Sequence, residues 1–282
     1  MFAVELNPRT SEISLADESL VAVTAGGLPR KDRKAYFSMD AERLVLRMEG
    51  QAHPRYFARP IHQSILSASL HEPYYPHVAA VREELRSIEV LHLEPRERMR
   101  TPSALKAAGR IASSGEDLAS FLYIQQQNHR AAFDNIRRNL SLIIPSISSI
   151  QLELNSLGEV ELFIHEHGTK LSARVVSEGT LRLLGVIALA HYPQPPSIVI
   201  IEEPENGVTP ERLDIIERIL RSLTEQGTQV IITTHSEAVY QLVPRSSLLR
   251  VAKHGLSTTI TRIDPTSLYD QPGGVLVDQS NR

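Results

Sequence analysis

Residues 197–210 read SIVIIEEPENGVTP, and residues 229–236 read QVIITTHS. Ile198 to Ile201 and Val230 to Ile232 are unbroken apolar runs rather than alternating ones. A strand apolar on both faces is buried on both, which is the pattern of a parallel sheet covered by helices. Between the two runs, Leu213, Ile216, Ile219, Leu220 and Leu223 recur at helical spacing, and Gly227 stands where it would end that helix. Strand, crossover helix and strand predict an α/β core. A further helix is expected upstream, from Glu178 to Ala190.

In open parallel sheets, ligands collect at the carboxyl ends of the strands. The first run leads directly into Glu202 and Glu203, and the second leads into His235. Strands must end in polar residues in any fold. Two adjacent carboxylates nevertheless repel each other unless a cation or a water network engages them. With a histidine at the neighbouring tip, a ligand site is the better reading.

Outward from this region, composition sets the frame. The 282 residues suffice for about two domains at roughly 150 residues each. Apolar residues at 41% and charged residues at 22% exclude wholesale disorder. Thirty basic against thirty-three acidic side chains, a formal charge of -3, exclude a dedicated polyanion binder. The absence of cysteine excludes a disulfide framework, a thiolate zinc site and a cysteine nucleophile, and it suits a reducing cytoplasm, the expected location. The longest apolar run, near Leu183 to Ala190, falls short of the roughly 20 residues of a membrane span, so no membrane association is expected. The opening MFAVELNPR carries no secretory signal.

The remaining chain divides by pattern. Phe2 to Leu6, Ile13 to Leu15, Leu20 to Val23 and Leu44 to Met48 read as strands of a small antiparallel sheet, with the basic loop Arg30 to Lys34 as a solvated hairpin tip. From Pro73 to about Asn139 the pattern is helical. Val78, Val81, Leu85 and Ile88 form one apolar face, Ser114 and Asp117 predict a capping box, and Phe133, Ile136 and Leu140 continue the periodicity. Arg96, Arg98 and Arg100 read as a solvated basic cluster. Strands return at Ile150 to Leu154, Val160 to Ile164 and Lys170 to Val176; His165 and His167 share a face there but have no third metal ligand nearby. The expected organisation is an antiparallel β part over 1–72, a helical insertion or arm over 73–145, a C-terminal lobe over 146–265 and a tail over 266–282.

These motifs carry a family resemblance. SIVIIEEPENGVTP resembles the Walker B strand and D-loop of ABC-type ATPases in the SMC/RecF/OLD group, the bacterial AAA-family ATPases among them. VVSEGTLRLLGVIAL (175–189) resembles their signature motif, and TQVIITTHS (228–236) resembles their switch histidine. The three stand in the family's order and at its separations. SSGEDLASFLY through PSISSIQLE (113–153) also resembles the segment before the signature, so the likeness covers roughly residues 93–264. It implies a P-loop NTPase-like core of the ABC/SMC-head type with an antiparallel subdomain, acting on ATP with Mg2+. By that likeness Glu202 holds the ion through water, Glu203 is the general base and His235 contacts the γ-phosphate. Ser177, Glu178 and Gly179 would clamp the nucleotide of an opposing subunit, with Asn206 and Gly207 along the same interface. The implied partner is a second copy or a chain carrying the P-loop, with DNA contact an open option. DNA repair, phage defence and toxin–antitoxin roles are all compatible.

One part of that pattern is missing. A phosphate-cradling loop ends in Gly-Lys-Ser or Gly-Lys-Thr, and no Gly-Lys pair occurs in the chain. TAGGLPRK (24–31) has the wrong spacing and contains a proline. Three explanations compete: a truncated or mis-started reading frame, a P-loop supplied by another polypeptide, and a true pseudo-ATPase. The first is favoured, because the other motif residues show no decay. The rival class is a non-hydrolysing interaction module that offers its signature face to a partner ATPase.

Overall fold

A computed structural model of the chain describes residues 2–6, 12–40, 43–51, 53–58, 63–67, 74–106, 109–255 and 257–263. The expected tail over 266–282 lies outside them. The chain forms two compact units, 1–87 and 88–282.

The first unit is an antiparallel meander of β1 (Phe2–Leu6), β2 (Ile13–Leu20), β3 (Phe37–Met39), β4 (Arg43–Leu46) and β5 (Arg55–Ala58), paired in chain order, followed by helix α1 (Pro76–Arg86). Pro76 opens α1 at a position where its missing N–H costs nothing. Phe37, Leu44, Leu46, Met48, Tyr75 and Val78 are buried together. The strand expected at Leu20 to Val23 is the end of β2, and Val23 makes only an isolated bridge to Pro29. The basic loop folds on itself, with Arg30 Nε donating to Asp32 Oδ1 at 3.0 Å.

The second unit contains β6 (Glu89–Leu91), β7 (Ser103–Ala104), α2 (Leu118–Asn128), α3 (Arg130–Ile143), β8 (Ile147–Leu154), β9 (Glu159–Glu166), β10 (Thr169–Ser172) and α4 (Glu178–Leu189). It continues through β11 (Ile198–Glu202), α5 (Leu213–Glu225), β12 (Gln229–Thr233), α6 (Glu237–Leu242), β13 (Leu249–His254) and β14 (Ser257–Arg262). The expected parallel core is present as a sheet of order β12-β11-β6, and β8 to β10 with β7 make a second, antiparallel sheet. The apolar stretch of α4 packs against α3 and α5. Leu181, Leu183, Leu184, Val186, Ile187 and Leu189 are fully buried, each stabilising the fold by roughly 1.5–3 kcal/mol. At the far end of α5, Gly227 takes φ +93, a left-handed turn that a side chain resists.

The stretch 73–145 is not helical throughout. Its α1 belongs to the first unit, Glu89–Leu91 joins the parallel sheet beside β11, and Phe121, Leu122, Phe133, Ile136 and Leu140 of α2 and α3 are buried in the second unit's core. Nor does Ser114 form the expected capping box. α2 begins at Leu118, and Asp117 Oδ1 accepts the backbone N–H of Ala112 at 2.5 Å. Cover of the sheet is uneven. Val199 and Ile201 of β11 are buried, whereas Ile231 of β12 is 42% exposed, and among the described residues no strand pairs the outer edge of β12.

One buried polar network stands at the start of β6. Tyr192 Oη donates to Glu89 Oε1 at 2.9 Å and accepts the Ile111 N–H at 2.9 Å. Burial pushes the Glu89 carboxyl above its ordinary range, although the Tyr192 hydroxyl and the Arg110 charge pull the other way. An acid whose pKa is raised by folding stabilises the fold when protonated, and that contribution is lost as pH rises through the raised value. Glu89→Gln keeps the acceptor for Tyr192 and removes the buried charge. It should raise the melting temperature by roughly 2–4 °C near pH 7.5, about 1 kcal/mol for a unit of this size, with the gain fading towards pH 4. Thermal melts of both proteins across that range check this; a lower melting temperature at neutral pH would show that the carboxylate is favourably charged.

Candidate functional site

Parallel register sets three strand tips side by side. Ile201 pairs with Leu91 on one flank and Glu202 with Thr233 on the other. The residues that follow are therefore neighbours: His92 after β6, Glu203 after β11, Thr234 and His235 after β12. His92 is fixed from behind by its backbone N–H, which donates to Ser113 O at 2.8 Å. Its Nδ1 lies 2.7 Å from Glu202 Oε2.

At Glu203 the backbone turns sharply. The residue takes φ +43, and its N–H donates to Thr233 O at 3.0 Å, tying the turn to the neighbouring strand. A left-handed glutamate costs energy, of order 1–2 kcal/mol, so the surrounding structure must over-determine it. Asn206 does so twice: its side-chain amide donates to Glu203 Oε2, and its backbone N–H donates to Glu203 O at 3.1 Å. His235 Nε2 stands 3.4 Å from Glu203 Oε1, with the imidazole otherwise exposed. Two residues on, the Thr234 hydroxyl donates to Glu205 Oε1, while Glu205 Oε2 is buried without a hydrogen-bond partner.

The N-terminus of α4 faces this loop. Ser177 caps it, accepting the Thr180 N–H at 3.1 Å. Arg100 donates to the carbonyls of Arg174 and Val176, at 2.9 Å each, and so fixes the chain entering the cap. Arg96 Nε donates to Glu178 Oε1 at 3.0 Å. Of the arginines expected to be solvated, Arg96 and Arg100 thus engage the chain around the start of α4, while Arg98 lies beside Glu94 at 3.8 Å. One turn into α4, burial lowers the proton affinity of Arg182, against the pull of Glu178, Glu203 and Glu205.

A cavity of about 350 Å3 lies among these groups, lined by His92, Leu93, Glu94, Pro95, Arg96, Glu97, Glu178, Arg182, Glu202, Glu203 and Asn206. Of the site residues expected from sequence, Glu178, Glu202, Glu203 and Asn206 line it. Ser177, Gly179, Gly207 and His235 are not part of its lining, and His235 stands beside the lining residue Glu203. Sequence reasoning missed His92, Arg96 and Arg182. The one signal for Arg182 was its position one turn after Glu178; His92 follows a strand too short to be read. His165 is engaged by Gln151 at 2.7 Å, and among the described residues no group of three or more His, Asp or Glu is arranged to hold a metal ion.

Comparison with known proteins adds the family. The model described as "AAA domain, putative AbiEii toxin, Type IV TA system" matches residues 62–239. The chain belongs to this AAA family. The match takes in the three strand tips, α4 and the loop from Glu203 to Gly207, and it ends within α6. Among curated proteins, none matches the chain. The chain is also similar to a structure from work on ATP-driven dimerization and DNA-stimulated activation of SMC ATPases, at 12% identity and a TM-score of 0.41, over 51% of this chain and 90% of that one. It is similar to the Smc head domain with a coiled coil and joint from Pyrococcus yayanosii, at 13% identity and TM-score 0.41, over 69% and 35% of the two chains. A third, the SmcHead bound to the C-winged helix domain of ScpA, is 13% identical with TM-score 0.42, over 78% and 66%. Among the described residues of this AAA-family chain, no helix is long and apolar enough to cross a membrane.

The donor chemistry suits the Mg2+ that a nucleotide brings. Such an ion takes one or two carboxylates and completes its shell with water and phosphate oxygens, and Glu202 offers a half-exposed carboxylate at the cavity wall.

The tightest constraint near the cavity is backbone on backbone. A Cβ built on Gly179 would stand 2.0 Å from Gly207 O, and Gly207 itself takes φ +75. Gly179→Ala should therefore lower stability by about 1–3 kcal/mol, as overpacking does, and speed amide hydrogen exchange at residues 203–208 by displacing their loop. An unchanged melting temperature with unchanged exchange would mean that the two segments do not press together.

Proposed function

We propose that the chain is the catalytic and signature portion of an ATP-hydrolysing head that encloses nucleotide between two subunits. The supporting observation is the row of His92, Glu202, Glu203 and His235 across three parallel strand tips, with the α4 N-terminus beside it. Glu202 would hold the magnesium ion, which neutralises phosphate charge when bound. Glu203 would take the proton of the attacking water. Its two oxygens are already held by Asn206 and His235, so the carboxylate is oriented before substrate arrives. His235, exposed beyond Glu203, would meet the γ-phosphate. Ser177, Glu178 and Gly179, at a helix N-terminus whose N–H groups and dipole attract anions, would meet the nucleotide of the opposing subunit, with Asn206 and Gly207 along that interface. The family's description favours a toxin–antitoxin setting over DNA repair.

A second reading rests on one observation, the lack of any Gly-Lys pair in the sequence. In it, the chain contributes its signature face to a partner ATPase and hydrolyses nothing. Neither reading finds a Gly-Lys phosphate-cradling loop within these 282 residues. The purified 282-residue chain should accordingly show negligible ATP turnover, since its sequence holds no Gly-Lys pair with which to cradle β- and γ-phosphate charge. Turnover by this chain alone would overturn that expectation.

In a complex reconstituted with a P-loop-bearing partner, Glu203→Gln should leave ATP binding intact and slow hydrolysis by about 10²–10⁴-fold, so that the ATP-bound assembly accumulates. Ser177→Arg should bind nucleotide yet fail to assemble, because its side chain fills the place of the opposing γ-phosphate. Size-exclusion chromatography with ATP and magnesium separates the two outcomes. Hydrolysis unaffected by Glu203→Gln would favour the non-hydrolysing module.

A further inference from the structure

The cavity is lined from the second unit alone, and the basic loop Arg30 to Lys34 of the first unit has no part in it. Residues 30–58 hold seven Lys or Arg against four Asp or Glu, in a chain whose acids outnumber its bases. Three of those acids are engaged: Asp32 by Arg30, Asp40 by Arg43 and Glu49 by His77. Among the described residues, Lys31, Lys34, Arg47 and Arg55 make no ion pair. The positive excess is local, so a short polyanion contact fits here although the chain as a whole is acidic.

Strand alternation sorts these groups by face. Leu44, Leu46 and Met48 are buried, so Arg43, Val45 and Arg47 point the other way. Tyr56 of β5 pairs with Val45, which sets it opposite the midpoint of the two arginines. Those arginines are four residues apart, roughly 13 Å along an extended chain. The Arg43 guanidinium carbon stands 4.4 Å from the Tyr56 ring centroid, and Asp40 Oδ2 accepts Arg43 Nε at 3.2 Å. Tyr56 is nonetheless 55% exposed, and Phe57, on the opposite side of the same edge strand, is 44% exposed. Among the described residues the exposed aromatic side chains are these two and Tyr74, all in the first unit. The basic loop enters β3 through Tyr36, whose carbonyl accepts the Arg47 N–H at 2.9 Å, so the loop opens at the Arg47 end of this row.

We infer that this face of the first unit binds single-stranded nucleic acid, with a base stacked on Tyr56 and phosphates met by Arg47 and the loop of Lys31 to Lys34. Single-strand binding combines a cationic track with rings on which bases stack, whatever their sequence. A duplex offers the phosphates but keeps its bases stacked on one another. An acidic peptide offers charge with nothing flat to lay on the ring. The site is independent of the nucleotide reading, which concerns the second unit.

The probes are fluorescein-labelled oligothymidylate and oligouridylate of about 15 nucleotides, within the reach of such a surface. An abasic deoxyribose-phosphate chain of equal length, a duplex and polyglutamate complete the set. Anisotropy of each is followed with the full 282-residue chain, without ATP, at about 50 mM and about 200 mM salt. Saturable, salt-weakened binding of a single strand is expected, tighter than that of the abasic chain, the duplex or polyglutamate. The tighter of the two oligonucleotides tells DNA from RNA. Tyr56→Ala should weaken binding about 5- to 100-fold, and Tyr56→Phe should keep most of it. Arg47→Gln should lower the slope of log affinity against log salt by about 0.7. Thermal melts report whether each variant is folded, and Tyr56→Leu, which keeps apolar bulk beside Val45 without the ring, repeats the test if the alanine variant is not. No saturable binding, equal binding of the abasic chain, a preference for duplex or polyglutamate, or unchanged affinity once the ring is removed overturns the inference.

Discussion

Gly179 and Gly207 meet with no side chain between them, the built Cβ of one falling within 2.0 Å of the carbonyl oxygen of the other. That approach brings the start of α4 onto the loop that leaves β11, and the geometry of the cavity depends on it. With any larger residue at 179 the helix would have to lift away from the loop, carrying Glu178 and Arg182 out of the wall they share with Glu202 and Glu203. Arg100, braced on the carbonyls of Arg174 and Val176, fixes the incoming chain from the other side. Two separate anchors thus set the position of one helix end, as expected where a site must be held to a fraction of an ångström.

Charge is arranged around that frame with little slack. Arg182 is half-buried on α4, its Nε has no hydrogen-bond partner, and the nearest charges are the carboxylates of Glu178, Glu203 and Glu205. Glu205 likewise keeps one buried oxygen without a partner. Unsatisfied buried atoms of opposite sign on two facing segments are uncommon in a relaxed core, where such groups are nearly always paired. Their presence beside a strained glutamate marks this loop as a place where local energy has been given up for arrangement.

How much of this was legible in the sequence follows from segment length and periodicity. β11, α5 and β12 were readable because apolar runs and a helical repeat leave few alternatives, and α4 because it is almost wholly apolar behind a serine cap. β3, β6 and β7 were not, since two or three residues carry no period; β6 in particular lay in a stretch whose neighbours are helical. That single omission concealed His92, because a residue can be assigned to a strand tip only once the strand is known. The arginines at 96 and 100 looked solvated for a related reason: their partners are Glu178 and the carbonyls at 174 and 176, more than seventy positions away in the chain. The tips marked by Glu202, Glu203 and His235 were legible because each directly ends an apolar run.

The outer edge of β12 has a consequence for handling the protein. QVIIT carries no charge, proline or bulge, the devices by which exposed strands discourage unwanted pairing. With Ile231 partly in solvent, this edge is a template on which any extended apolar segment can lay down a further rung of backbone hydrogen bonds. Raising the concentration of the chain therefore favours pairing of these edges with one another.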